Sequence, residues 1–92
     1  MEQSITLNLP YALSDAEWAK VLAVFRGMDG WIEDQQCWFV DPGTGKCIEA
    51  SVEPSGLLIT SNLECGLFAG WITKLCAKLT FALGREIYDA QM

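Results

Sequence analysis

Ninety-two residues, 51% of them hydrophobic and with four Trp, four Phe and two Tyr, read as one domain, 1–92, with ample apolar material for a core; neither a disordered chain nor a second module is expected. Twelve acidic residues against six basic ones give a formal charge of −6, so nucleic acid is not an expected partner, since affinity for phosphate comes chiefly from clustered Lys and Arg. No histidine occurs, which removes Ser-His and Cys-His nucleophile pairs, histidine metal sites and the commonest general base at neutral pH.

The chain opens Met1-Glu2-Gln3-Ser4-Ile5, without the basic start and apolar block of a secretory signal, so a cytoplasmic location is expected. Residues 4–9 alternate, with Ile5, Leu7 and Leu9 on one side, and read as a half-buried strand ended by Pro10. Ser14-Asp15-Ala16-Glu17 is a capping box, in which the Ser hydroxyl and the Glu carboxylate each satisfy a free backbone N–H at a helix start. The helix should run to about residue 28 on a stripe of Trp18, Val21, Leu22 and Phe25, and end at Gly27, Asp29 and Gly30. Trp31 and Ile32 are expected to pack under its end.

Residues 35–62 are cut into three short runs by Pro42-Gly43-Thr44-Gly45 and Pro54-Ser55-Gly56, which predicts a three-stranded antiparallel meander. With both turns tight, Phe39 lies opposite Ile48, Ala50 opposite both Cys37 and Ile59, and Val52 opposite Leu57, making an apolar face. The other face then carries Trp38, Val40, Cys47, Glu49, Ser51, Glu53, Leu58 and Thr60. A large aromatic flanked by acids is the composition of an interface anchor, so Trp38, Val40, Glu49, Glu53 and Leu58 are the candidate protein-binding residues. A further strand or the Trp31 loop covering them, or simple scattered exposure, is the alternative reading.

Ser61-Asn62-Leu63-Glu64 repeats the capping-box pattern and predicts a second helix over residues 63–83, stopped by Gly84. Its apolar stretch is nearly long enough to span a bilayer, but Lys74 and Lys78 lie near its middle, so no membrane is expected. Phe68, Trp71, Ile72, Leu75, Leu79, Ala82 and Leu83 form the stripe that should cover the sheet, while Gly66 and Gly70 should allow close packing. Residues 85–88 form a short last strand or continue the helix. The expected fold is therefore α+β, an antiparallel sheet with two helices packed on one face, in the order β-α-β-β-β-α with a possible last β, a ferredoxin-like variant.

Cys37 and Cys47 point to opposite faces in this register. Cys65 and Cys76 are about 16 Å apart along one helix at a rise of about 1.5 Å per residue, so four free thiols in a reducing compartment are expected. There is no CxxC spacing for zinc, and residues 29–34 lack the calcium-loop pattern. Gly43-Thr44-Gly45-Lys46 lacks phosphate-loop spacing and reads as a hairpin turn. Exposed carboxylates such as Glu49 and Glu53 are poor acid-base catalysts, because raising a pKa toward neutrality takes burial or a close like charge. No cofactor or enzymatic activity is expected.

Trp38-Phe39, then residues 50–57 (Ala-Ser-Val-Glu-Pro-Ser-Gly-Leu), then Leu83-Gly84 with Asp89-Ala90 resemble small bacterial proteins, some of which are similar to immunity proteins of secreted-toxin systems. That resemblance implies a small, acidic, non-catalytic protein that covers a toxin's active site. The expected function is a cytoplasmic protein-binding module, an immunity-type inhibitor of a basic toxin or enzyme. The alternatives are a homodimeric structural module, pairing through the same face or an edge strand, and a small-ligand binder or enzyme with a pocket between helices and sheet.

Overall fold

A two-residue turn at Pro54 and Ser55 folds β4 (Ile48–Glu53) back on β5 (Gly56–Ser61), and this hairpin is the centre of the sheet. The computed structural model describes residues 2–9, 12–40, 43 and 47–90. Along the chain the elements are β1 (Gln3–Leu7), α1 (Asp15–Gly27), β2 (Trp31–Ile32), β3 (Cys37–Trp38), β4, β5 and α2 (Cys65–Leu83). The fold is α+β, a five-stranded antiparallel sheet in the order β1-β5-β4-β3-β2 with two helices. Ala50 pairs with Ile59 and Val52 with Leu57, the register expected of a tight second turn. Most of the first expected turn lies outside the described residues.

β1 closes the sheet on the far side of β5, pairing Ile5 with Ile59 and Leu7 with Leu57, so one face collects their apolar side chains. Gly56 makes that pairing possible. Its φ is +140°, and a Cβ there would lie 2.2 Å from the Leu7 carbonyl oxygen, closer than any side chain permits. Beyond β5's partner, the C-terminal segment runs along the outer edge of β1: the Asn8 N–H donates to the Tyr88 carbonyl at 3.0 Å and the Ala90 N–H to the Thr6 carbonyl at 2.7 Å. Only an isolated bridge, Leu7 to Asp89, results, so residues 85–88 form neither a strand nor more helix.

The capping box that opens α1 is present, with Ser14 as N-cap and Glu17 reaching back to the Ser14 N–H. Val21 and Phe25 are buried as the stripe requires, Trp18 is half-buried, and Leu22 is 43% exposed. The second expected capping box does not form. Ser61 is spent as the last residue of β5, its hydroxyl accepting the Leu63 N–H, and Glu64 caps α2 instead by accepting from the Gly66 and Leu67 N–H groups. Gly84, in the left-handed region, ends the helix.

α2 is long and apolar enough to cross a membrane by length and composition. Its stripe of Phe68, Trp71, Ile72, Leu75 and Leu79 is nonetheless buried in the core cluster with Leu7, Ile48, Leu57 and Ile59, as an inner helix of a folded domain requires. Gly66 and Gly70 are exposed; a Cβ on Gly70 would meet nothing within 4 Å and one on Gly66 only the capping Glu64 carboxylate, at 3.1 Å, so neither brings another element close.

Candidate functional site

Trp38 is fully buried, 0% exposed, and it is not a surface anchor. The physical cause is a slip of one residue. Phe39 adopts φ +56°, a left-handed conformation that is costly for an aromatic residue and that cannot continue a strand. Its N–H donates to the Gly30 carbonyl at 2.8 Å, and its ring lies where a Cβ on Gly30 would be, at 2.6 Å. β3 therefore ends at Trp38, and Trp38 rather than Phe39 pairs with Ile48. Because strand side chains alternate, that single step sends Trp38 to the core. There its ring meets Phe25 of α1 at 5.1 Å, Trp71 of α2 at 4.8 Å and Trp31 at 5.2 Å between centroids.

Trp31 and Ile32 contact α1 as expected, and they also belong to the sheet, as β2 paired with β3. The polar run Glu33-Asp34-Gln35-Gln36 between two apolar pairs is the hairpin signal that reveals this strand, and Gln36 takes the left-handed conformation the turn needs.

The remaining candidates divide. Val40 follows Phe39 outside any strand and is half-buried. Glu49, Glu53 and Leu58 do share one face of the β4–β5 hairpin, with Ser51 paired to Leu58 and Glu49 to Thr60. Glu49 and Ser51 are exposed there, while Glu53, Leu58 and Thr60 are half-buried. The Ser51 hydroxyl donates to the Glu53 carboxylate at 3.0 Å, which holds that acid along the strand.

No Lys or Arg lies on a strand among the described residues. Lys20 and Arg26 are on α1, Lys74 and Lys78 on α2, and Arg85 just past it. Two of these are neutralised locally, Arg26 by Glu33 at 3.4 Å and Lys74 by Asp29 at 3.5 Å. Lys78 donates to the Gly27 carbonyl at the end of α1. Among the described residues the outer face of the β4–β5 hairpin thus carries only acidic charges, while the helices carry both signs, with Asp15 and Glu17 on α1 beside Lys20 and Arg26.

Cys37 and Cys47 do not point apart. With Trp38 opposite Ile48, the two share the parity of the outer face, and Cys37 and the Glu49 carboxylate both act on the Cys47 thiol. Burial, then the Glu49 charge, pushes the Cys47 thiol above its ordinary pKa, so it is largely protonated at neutral pH and a weak nucleophile. Cys76 is raised likewise, chiefly by burial. All four cysteines are free. Among the described residues, no group of three or more His, Cys, Asp or Glu is placed to hold a metal ion.

A cleft lies between helix and sheet, where the ligand-binding alternative expects a pocket, though the sequence does not name its lining residues. It measures about 410 Å³ and opens between α1 and the end of β4, lined chiefly by Trp18, Leu22, Trp31, Ala50 and Val52. Val52 has the parity of the core residues and faces Leu57, yet it is 47% exposed, because β3 stops before reaching it. Leu22 is exposed on the opposite wall for the same reason.

No family model matches the chain, and neither a curated protein nor a solved structure matches it.

Proposed function

We propose that this protein is a non-enzymatic, cytoplasmic protein-binding module, an immunity-type inhibitor that covers a basic toxin or enzyme with the outer face of β4 and β5. The observation that carries the reading is the acidic outer face of the β4–β5 hairpin. Glu49 and Glu53 lie beside the half-buried Leu58 on a face without a basic side chain on any described strand, while the described cations lie on or next to the helices. An acidic face around a small apolar patch selects a basic partner by steering its approach and by repelling acidic competitors. Four free thiols, two with pKa values raised by burial, support a reducing compartment and argue against thiol catalysis. The arrangement reads as a ferredoxin-like variant with both helices on one face of the sheet. Trp38 meeting both Phe25 and Trp71 supports that reading.

Quantitative capture on immobilised protein tests it. Wild type should enrich a basic protein from host lysate, and the double variant Glu49→Lys, Glu53→Lys should lose it while keeping its melting temperature. Equal capture by both proteins contradicts the proposal, and a stable dimer of the free chain by light scattering would favour the structural module instead.

A further inference from the structure

We infer that the partner contributes an extended segment that adds as a strand to the open edge of β4, with basic residues alternating with apolar ones. This rests on the acidic-face reading above and names the part of the partner that meets it. All six residues of β4 pair with β5, from Ile48 with Ser61 to Glu53 with Gly56. On its other side β4 pairs with β3 only at Ile48, because the chain turns away at residues 33–36. From Ala50 to Glu53 no described strand lies beside it, about 13 Å of edge at the rise of an extended chain. An unpaired edge of that kind is a template for strand addition.

The two faces beside this edge differ in chemistry, and that difference sets the pattern of the incoming strand. Successive side chains of a strand point to opposite faces. One set enters the cleft among Trp18, Leu22, Trp31 and Val52, whose polar lining is Arg26 and Gln36; its apolar walls take apolar or aromatic groups. The other set emerges beside Glu49, Ser51 and Glu53, which takes Lys or Arg. A second copy of this chain is the poorer occupant, because β4 against β4 places carboxylates beside carboxylates. The opposite edge of the sheet is already taken by the C-terminal segment along β1.

The test uses the full chain and a fluorescent, N-acetylated, C-amidated peptide in which lysine alternates with valine and phenylalanine, read by anisotropy. An isomer of equal composition with the lysines in one block is the control. Two further peptides carry backbone N-methyl groups on alternate residues, one for each parity. The alternating peptide should bind at least about tenfold more tightly than the block isomer. Val52→Trp, which fills the cleft from a half-exposed position, should weaken it by about tenfold or more; Leu22→Trp on the facing wall repeats the test should that variant unfold. One methylation parity should abolish binding and the other should spare it. Equal binding of all four peptides, with no effect of Val52→Trp, overturns strand addition and leaves the charge-based reading standing. No binding of the alternating peptide also overturns it. If Glu49→Lys with Glu53→Lys leaves the alternating peptide bound as tightly as before, while methylation parity still matters, the acidic-face reading fails and with it the basic half of the pattern.

Discussion

The indole N–H of Trp38 donates to the main-chain carbonyl of Phe25 at 3.0 Å, and the two rings stand edge-on at 5.1 Å. This ties β3 to the last turn of α1, where carbonyls lack helical partners. Trp71 acts in parallel, donating to the Asp29 carbonyl at 3.1 Å. Trp38→Ala should therefore cost about 3–5 kcal/mol. Trp38→Phe should cost less, about 1–3 kcal/mol, because Phe25 O still accepts the Met28 N–H. Urea unfolding measures both, and a Trp38→Ala curve superimposed on wild type would show that the indole is not in the core.

Gly56 is the second fixed point of the sheet. Gly56→Ala meets the Leu7 carbonyl oxygen at 2.2 Å with φ at +140°, and neither the strand nor the conformation can yield cheaply. A loss of at least about 1–3 kcal/mol is expected from the backbone conformation alone. Amide exchange should quicken first along β1 and β5. An unchanged unfolding midpoint would contradict the β1–β5 register.

Acid should loosen both helix starts. The Ser14 N–H and hydroxyl hold the Glu17 carboxyl below its ordinary 4.5, and the Gly66 and Leu67 N–H groups do the same for Glu64. A carboxyl whose folded-state pKa is lowered adds stability above its unfolded pKa and loses it as pH falls through the folded one. Glu17→Gln and Glu64→Gln should thus be less stable than wild type at neutral pH, and the gap should close on titration below 4.5. A gap independent of pH would mean that the caps do not depend on charge. Ser14→Ala should cost about 1 kcal/mol.

Thiol reactivity should follow exposure. Cys65 is exposed, Cys47 and Cys76 are half-buried with raised pKa values, and Cys37 is buried. An aromatic disulfide reagent should find one fast thiol in the native chain and all four after denaturation. For Cys47 and Cys76 the folded state resists ionisation, so their contribution to stability is present below the ordinary 9.0 and is lost as pH rises beyond it. A native chain with fast-reacting Cys37 would contradict the burial described.

Local signals were legible where they depended on neighbouring residues alone. The Ser14 capping box, the Phe68 to Leu79 stripe, the Gly84 stop and the Pro54-Ser55 turn all report short-range chemistry. So did the β4–β5 register, because a two-residue turn sets it. The Trp38 parity was not legible, since it depends on Phe39 leaving the strand to lie on Gly30, a contact between residues that sequence alone does not bring together. A pocket between helices and sheet was among the alternatives, but its position was hidden for a related reason. Val52 and Leu22 follow the apolar pattern correctly, and only the early end of β3 leaves them uncovered. Glu49, Glu53 and Leu58 kept their expected face because their register never depended on the first turn.

Site-specific photo-cross-linking in the host cell tests the binding face most directly. A benzophenone side chain replaces Ser51 or Thr60 on the outer face of the β4–β5 hairpin, or Ala77 on the exposed side of α2. The acidic-face account predicts one discrete adduct with a basic protein from Ser51 and Thr60 and none from Ala77. An adduct from Ala77 with none from the two sheet positions would contradict it.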